Sequence, residues 1–345
     1  MSEGNGKVLV AVSGGVDSMC LADLFLQNIG AESFSIAHCN FHLRGEESDG
    51  DQALVEKRAE ELGVRVFVKR FDTEAYACER GISIEMAARD LRYGWFGELC
   101  QEHGFDAVVV AHNANDNAET LMLNLLRGTG LGGLHGMSEV SVLKRRVLLR
   151  PLLEVTRKQI EGYVLAHRVP YRDDSTNFES EYKRNKIRNE VFPVFEKVNP
   201  SFVKTLNREI GYFAEAESIV EDWCRSQLSN VISCDNASSI NISALLSTPH
   251  WRYLLYYILS PYGFNHQSLA SVESLLTSSR TQSGKRFESE THILYIERGA
   301  LVIKEKIKDC PAPDSDIMVV RGAGVYNFNG VRFRVELLDR NPDMP

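Results

Sequence analysis

Lys7-Val8-Leu9-Val10-Ala11-Val12-Ser13-Gly14-Gly15-Val16-Asp17-Ser18 is the stretch on which the fold turns. Its β-branched run reads as a strand and Gly14-Gly15 as a tight turn. The spacing of Leu21, Leu24 and Phe25 then reads as an amphipathic helix. Working outward, Ser33 to Cys39, Val64 to Arg70 and Ala107 to Ala111 repeat the short apolar strand pattern, each separated from the next by helical periodicity. A fifth strand is expected near Arg146 to Arg150, before Pro151. Strands alternating with helices are the signature of an α/β, doubly wound parallel five-stranded sheet.

Beyond Pro193 and Pro200 the pattern changes. Residues 201 to about 280 are helical in period, and Trp251, Leu254, Leu255 and Ile258 mark a core stripe. Ile293 to Ile303 around Arg298-Gly299, and Tyr326 to Val335 around Asn329-Gly330, read as hairpins, with a linker-like Pro311 to Asp316 between them. The expected domains are therefore 1–200, an α/β catalytic domain, 201–308, a small helical domain carrying a β-hairpin, and 309–345, a linker with a partial C-terminal β-containing segment. A chain of 345 residues, 43% of them hydrophobic, suits such a division.

No basic, apolar and small-residue order opens the chain, and no run approaches the roughly 20 apolar residues of a membrane span, so a cytoplasmic protein without a membrane partner is expected. Seven scattered cysteines, none in a CxxC pair, read as reduced structural thiols. The formal charge of −8 by itself argues against a nucleic-acid partner. Its distribution argues the other way: Leu143 to Arg188 holds twelve Lys/Arg against six Asp/Glu, a local +6, leaving −14 for the remainder. The oligomeric state stays open, a homodimer included.

Chemistry starts at the glycine turn. Two glycines let backbone N–H groups and a helix N-terminus face an anion while Ser13 and Ser18 offer hydroxyls, which makes a phosphate cradle. The loop has neither the Lys of a Walker A motif nor the GxGxxG of dinucleotide binders, so γ-phosphoryl and hydride transfer are not indicated. A carboxylate inside an anion site needs a cation, and magnesium, which bridges carboxylate and phosphate oxygens, is the natural partner of Asp17. Residues after strands one and four should share the crevice of such a sheet. After strand four comes His112-Asn113-Ala114-Asn115-Asp116-Asn117-Ala118-Glu119. Asp116 and Glu119, three apart on one helix face, are a magnesium ligand set, a trap for a cationic substrate, or acids placed for the helix dipole. After strand two, His38 and His42 bracket a strand end, which favours nucleotide or substrate contact over a metal site. Glu85 and Arg89 are four apart on a helix, as a surface ion pair would also be. The five glycines between Arg127 and Gly136 make a loop suited to a gate or a connector.

The hexapeptide Ser13 to Ser18 resembles the SGGxDS loop of the PP-loop ATP pyrophosphatases (adenine nucleotide alpha hydrolase-like), which hold the β- and γ-phosphates as a unit and release pyrophosphate. GMP synthetases, NAD synthetases and tRNA thiolases share that loop. His42-Leu43-Arg44-Gly45, Glu85 with Ala88-Arg89 and Arg92-Tyr93, Asp116 to Thr120, Leu126-Arg127-Gly128, Arg150-Pro151-Leu152-Leu153, Asp174 with Asn177, and Arg184-Asn185 with Arg188 follow in the order found in the tRNA(Ile)-lysidine synthetases. The resemblance is close over residues 7 to 200 and weaker around Ser283-Gly284-Lys285. Larger members carry a further tRNA-contacting domain, so a truncated form, or one that manages tRNA with less surface, is expected.

The resemblance implies a carbon–nitrogen ligase acting in tRNA modification. ATP with Mg2+ would adenylate C2 of the wobble cytidine in tRNA(Ile) with a CAU anticodon, and the ε-amine of L-lysine would then displace AMP. It implies ATP contacts from Ser13, Gly14, Gly15, Val16, Asp17, Ser18, His38 and His112, with Asp17 on the metal. Asp17, Asp116, Glu119 and Arg184 would be catalytic. His42, Arg44, Glu85, Arg89, Arg92, Asp116, Glu119, Arg127, Arg184 and Arg188 would meet lysine or tRNA. How Asp116 and Glu119 divide their roles is open. A tRNA thiolase would call for paired cysteines, and a non-catalytic adenine-nucleotide-binding module would lack Asp17.

Overall fold

Val8–Ala11 forms the first strand, β1, and the Gly14-Gly15 turn delivers the chain into α1 (Val16–Ile29). Gly14 has φ of +98°, a region that residues with a Cβ rarely enter, and a Cβ there would meet Asp51 Cβ at 3.3 Å. The computed structural model describes residues 7–143, 146–172, 183–232, 239–278, 284–306, 323–328 and 331–335. Asp174, Asn177, Ser283, the Pro311 to Asp316 linker and the Asn329-Gly330 turn lie outside the described residues.

The chain continues through β2 (Phe34–Asn40), α2 (Glu46–Leu62), β3 (Val66–Arg70), α3 (Thr73–Arg80), α4 (Ile84–His103), β4 (Ala107–Val109) and α5 (Ala114–Arg127). A hairpin of β5 (Val140–Leu143) and β6 (Arg146–Leu149) leads to α6 (Arg157–His167). The sheet order is β3-β2-β1-β4-β6-β5. The five expected strands pair in parallel, Val8 standing between Phe34 and Ala107. The sheet has six strands rather than five, because β5 adds antiparallel to β6 at the edge. Val140 and Val142 remain exposed there, so this strand buries too little apolar surface to show as a core segment in the sequence.

Helices cover both faces. Val10, Met19, Leu21, Ile36, Val55 and Ile160 pack on one side, and Leu9, Ala37, Trp95, Phe96, Leu99 and Val108 on the other. Burying each such large side chain contributes about 1.5–3 kcal/mol. Because β1 has β2 on one flank and β4 on the other, the chain order reverses between β1 and β4, and the crevice opens at their carboxyl ends. After α6 come α7 (Lys183–Lys186), a π-helical turn (Ile187–Val191), α8 (Phe192–Val198) and the long α9 (Phe202–Val231).

The chain divides into two compact units, Met1–Asp222 and Trp223–Pro345, and the division falls inside α9, beyond Pro193 and Pro200. In the second unit, β7 (Ser239–Asn241), α10 (Ile242–Ser247), α11 (Trp251–Leu259) and α12 (His266–Thr277) precede β8 (Arg286–Glu288), β9 (His292–Glu297) and β10 (Ala300–Glu305). Its antiparallel sheet runs β7-β10-β9-β8, and Leu254, Leu255, Leu294 and Leu301 are fully buried. The β9–β10 turn has positive φ at Arg298 and Gly299, as a tight primed turn requires. β11 (Gly324–Phe328) pairs with β12 (Val331–Val335). Among the described residues no helix is long and apolar enough to cross a membrane.

Candidate active site

The glycine turn is closed by its own serines. Ser13 N–H donates to Ser18 Oγ at 3.1 Å, and Ser18 Oγ donates to the Gly15 carbonyl at 2.9 Å. No side chain caps α1 at Gly15, so the amides of its first turn are left for an external acceptor. Asp17 stands in that turn. Its Oδ2 accepts from Arg157 Nη1 at 2.5 Å, while Oδ1 is buried with no partner among the described residues. Burial pushes the Asp17 carboxyl up, and Arg157 opposes this.

Above the turn lies a cavity of about 570 Å³ at the carboxyl ends of β1 and β4. Ser13, Gly15, Val16, Asp17 and Ser18 form one wall. A stripe of α4, namely Glu85, Ala88, Arg89, Arg92, Tyr93 and Phe96, forms another, at the spacing that puts residues on one helical face. Arg89 lies over the Tyr93 ring at 4.9 Å, and Arg92 over Phe41 at 5.2 Å. His112 and Asp116 come from the exit of β4, and Arg184, Asn185 and Arg188 from α7 and the π-helical turn. Such turns recur at functional sites because they re-aim side chains.

The first turn of α5 does structural work too. Asn113 Oδ1 accepts from Asn115 N–H and Asp116 N–H at 2.9 and 3.1 Å, and Asp116 Oδ2 accepts from Asn113 N–H at 3.0 Å. This capping box occupies one Asp116 oxygen, and the other lies 3.3 Å from Arg188 Nη2. One turn on, Glu119 is 0% exposed. Arg188 grips it through Nε at 2.6 Å and Nη2 at 3.0 Å. Arg184 Nε lies 3.2 Å away without hydrogen-bond alignment, its Nη2 donating instead to Thr120 Oγ1 at 2.8 Å. Burial pushes the Glu119 carboxyl up, against the pull of Arg188. Burial also pushes His112 down to about 4, leaving a neutral imidazole whose Nδ1 has no partner among the described residues.

Other expected site residues stand elsewhere. His38 is buried behind the turn, with Nδ1 2.9 Å from the Val12 carbonyl, and does not line the cavity. Gly14 shapes the turn from behind, its carbonyl accepting from Arg172 N–H at 3.1 Å. His42 is exposed at φ +53°. Arg44 pairs with Asp51 at 2.8 Å. Arg127 is exposed at the far end of α5, about 16 Å along the helix from Asp116. Glu119 lies beneath the wall rather than in it. The 127–136 segment is pinned to α5, since Asn124 Nδ2 donates to the Gly133 carbonyl and Met137 N–H to Asn117 Oδ1, each at 2.7 Å.

Lining residues that the sequence reading passed over are Arg157, Arg172, Cys39 and Phe41. Arg157 is 140 residues from Asp17, and its local signal is that of a helix start: Thr156 and Gln159 form a capping box around it. Cys39 is pushed up to about 12 by burial, so it stays a thiol. Among the described residues no group of three His, Cys, Asp or Glu is gathered as a metal site. A single carboxylate beside a phosphate cradle still fits magnesium, which keeps several waters and takes phosphate oxygens as ligands.

A PP-loop domain family matches residues 1–195, and a TilS substrate binding domain matches residues 233–307. The tRNA(Ile)-lysidine synthase of Bacteroides thetaiotaomicron is 37% identical over 298 residues, covering 86% of this chain and 67% of the relative. The chain belongs to the tRNA(Ile)-lysidine synthase family. The synthase of Porphyromonas gingivalis strain W83 is 43% identical over 305 residues, covering 87% of this chain and 64% of its own length. This chain thus spans under two thirds of that lysidine synthase. Among solved structures, a U34-tRNA thiolase of Methanococcus maripaludis is similar with a TM-score of 0.49 and 19% identity, over 61% of this chain and 72% of that one. The two lysidine synthase segments fall one on each compact unit.

Proposed function

We propose that this protein adenylates the wobble cytidine of tRNA(Ile) with ATP and joins the ε-amine of L-lysine to its C2, releasing pyrophosphate and AMP. One observation carries the reading: a phosphate turn with an acid in its first helical turn shares a cavity with Asp116 and an arginine-rich wall. In this reading Ser13 to Ser18 hold the β- and γ-phosphates, and the α-phosphorus faces the cavity. The cytidine is splayed from the anticodon loop, as chemistry on a base requires. Its C2 oxygen attacks the α-phosphorus and the bond to pyrophosphate breaks. Charge developing on pyrophosphate meets the α1 amides and guanidinium groups already in position. Asp17 would hold magnesium, which supplies further charge neutralisation at the phosphates. The ε-amine then attacks C2 and AMP leaves.

Lysine's ammonium must first lose a proton, and Asp116 is the carboxylate of the pair that faces the cavity. Glu119, held by Arg188, sets the guanidinium that would clamp lysine's carboxylate or an RNA phosphate. His112 is neutral and free to contact the nucleotide. The location of ATP, lysine and tRNA puts the reaction in the cytoplasm.

The test incubates the protein with ATP, lysine and tRNA and follows AMP, pyrophosphate and labelled tRNA. AMP should require both tRNA and lysine, and cytidine alone should not replace tRNA. Sulfur transfer without a lysine requirement would make the protein a thiolase, and ATP binding without turnover would make it a nucleotide-binding module.

A further inference from the structure

Arg157 is the first residue of α6, and its backbone is fixed there: its N–H donates to Asn115 Oδ1 at 3.0 Å. The side chain has more freedom. Its Nε is held at 2.9 Å by Glu161, a solvent-exposed carboxylate whose grip is weak, and its Nη1 reaches across the cavity wall to Asp17 Oδ2. The second oxygen of Asp17 is buried and has no hydrogen-bond partner among the described residues. Asp17 therefore has one oxygen covered by a guanidinium and one that meets no aligned donor, with the Asn113 side chain nearby, inside a turn built to receive an anion.

An uncompensated carboxylate there would repel the phosphates that the turn is shaped for, and burying it unpaired is costly. A guanidinium solves this only while the site is empty. A divalent cation taking the other oxygen of that carboxylate repels the guanidinium beside it, which favours rotation of the more mobile of the two. The guanidinium already lines the cavity and carries a planar fork of donors suited to phosphate oxygens, so a rotation of its side chain, with α6 unmoved, finds it a second partner.

We infer that Arg157 is a displaceable counter-ion, which neutralises Asp17 in the empty site and turns to nucleotide phosphate when a divalent cation takes its place. The inference rests on the proposed use of the turn for ATP and magnesium. Arg157 then contributes to nucleotide affinity and restrains the site from filling with cation before nucleotide arrives.

The experiment uses Mn2+ as the cation probe, read by the electron paramagnetic resonance of the free ion, on nucleotide-free protein. A fluorescent ATP analogue in EDTA reports nucleotide affinity without metal. Arg157→Gln should bind Mn2+ roughly tenfold more tightly and the analogue roughly tenfold more weakly, each the worth of one charge-assisted hydrogen bond. The Mn2+ gain should vanish in the Asp17→Asn, Arg157→Gln double variant. Arg157→Lys, which keeps a cation and so a compensated Asp17, should recover both affinities in part, and it carries the same test should the Gln variant not fold. A purely structural Arg157 would lower the melting temperature and leave the Mn2+ affinity where it was. Unchanged Mn2+ binding with normal analogue binding overturns the inference, as does tighter analogue binding in Arg157→Gln. Absence of analogue binding in the wild type is a different result, because it removes the reading of the turn itself.

Discussion

Two carboxylates, the half-buried Asp17 and the fully buried Glu119, separate the roles available to an acid in this site. Glu119 has both oxygens taken by Arg188. Asp17 has one taken and one without an aligned donor among the described residues. A satisfied acid positions its neighbours, and a half-satisfied one awaits a ligand. Asp17→Asn should accordingly keep the fold and abolish pyrophosphate release; a folded variant with near-normal turnover would remove the turn from the mechanism. Glu119→Gln should leave adenylation near normal and raise the lysine concentration needed for transfer about tenfold, through a loosened Arg188. Slow adenylation with unchanged lysine dependence would move Glu119 to the nucleotide step, and norleucine, which lacks the attacking ε-amine, should not be transferred. His112 gives a pH signature. Its folded pKa of about 4 lies below the ordinary 6.5, so between them the unfolded chain binds the extra proton. Stability from this group is complete above 6.5 and is lost as pH falls towards 4, at up to about 1.4 kcal/mol per pH unit. His112→Gln should flatten the urea midpoint across that window; an unaltered slope would assign the acid sensitivity to other groups. Asp17 was legible in six consecutive residues, whereas its partner Arg157 was not, because nothing local distinguishes a helix-start arginine from one that reaches a residue 140 positions away.

At the scale of elements, burial decided what the sequence could reveal. The five parallel strands are sandwiched by helices and so read as plain apolar runs. β5 is an edge strand with two exposed valines and a sequence-local partner, and its pattern carries no such run. The spacing of Glu85, Arg89 and Arg92 showed α4 as a helix but fitted a surface ion pair equally well, and only the family resemblance pointed to a functional face; all three residues line the cavity wall. Arg44 and Arg127 matched a motif by order alone, which fixes neither direction nor distance to the cavity. The first turn of α5 joins the two uses of its acid: the Asn113–Asp116 box that starts the helix also aims Asp116 at the cavity. Removing that cap with Asn113→Ala should cost about 1 kcal/mol in chemical denaturation, and Asn113→Ser should restore most of it. An Ala variant as stable as wild type would mean that the Arg188 contacts alone hold this turn.

Across the whole molecule the charge is divided against itself, −8 in total yet +6 between Leu143 and Arg188. A polyanion such as tRNA is repelled by the average and drawn to the exception, so its attraction should be local and strongly screened by salt. Lys183 and Lys186 are exposed on α7, the element that also supplies Arg184 to the cavity wall, and Lys186 makes a long 4.0 Å contact with Glu190. On the proposed function they would meet phosphates of an RNA whose base enters the cavity, without touching the phosphate turn. Filter binding of tRNA over a salt series separates these contacts from the rest. Lys183→Ala and Lys186→Ala should each weaken binding and each lower the slope of log affinity against log salt by about 0.7 to 0.9, the release of one counterion. ATP affinity should stay the same, because the turn from Ser13 to Ser18 is built from other elements. Retention of the wild-type slope in the double variant would mean that phosphate attraction resides elsewhere, with the 233–307 substrate-binding segment as the next place to look. A loss of ATP affinity alongside it would mean that α7 shapes the nucleotide site, and that its lysines act through the fold rather than on RNA.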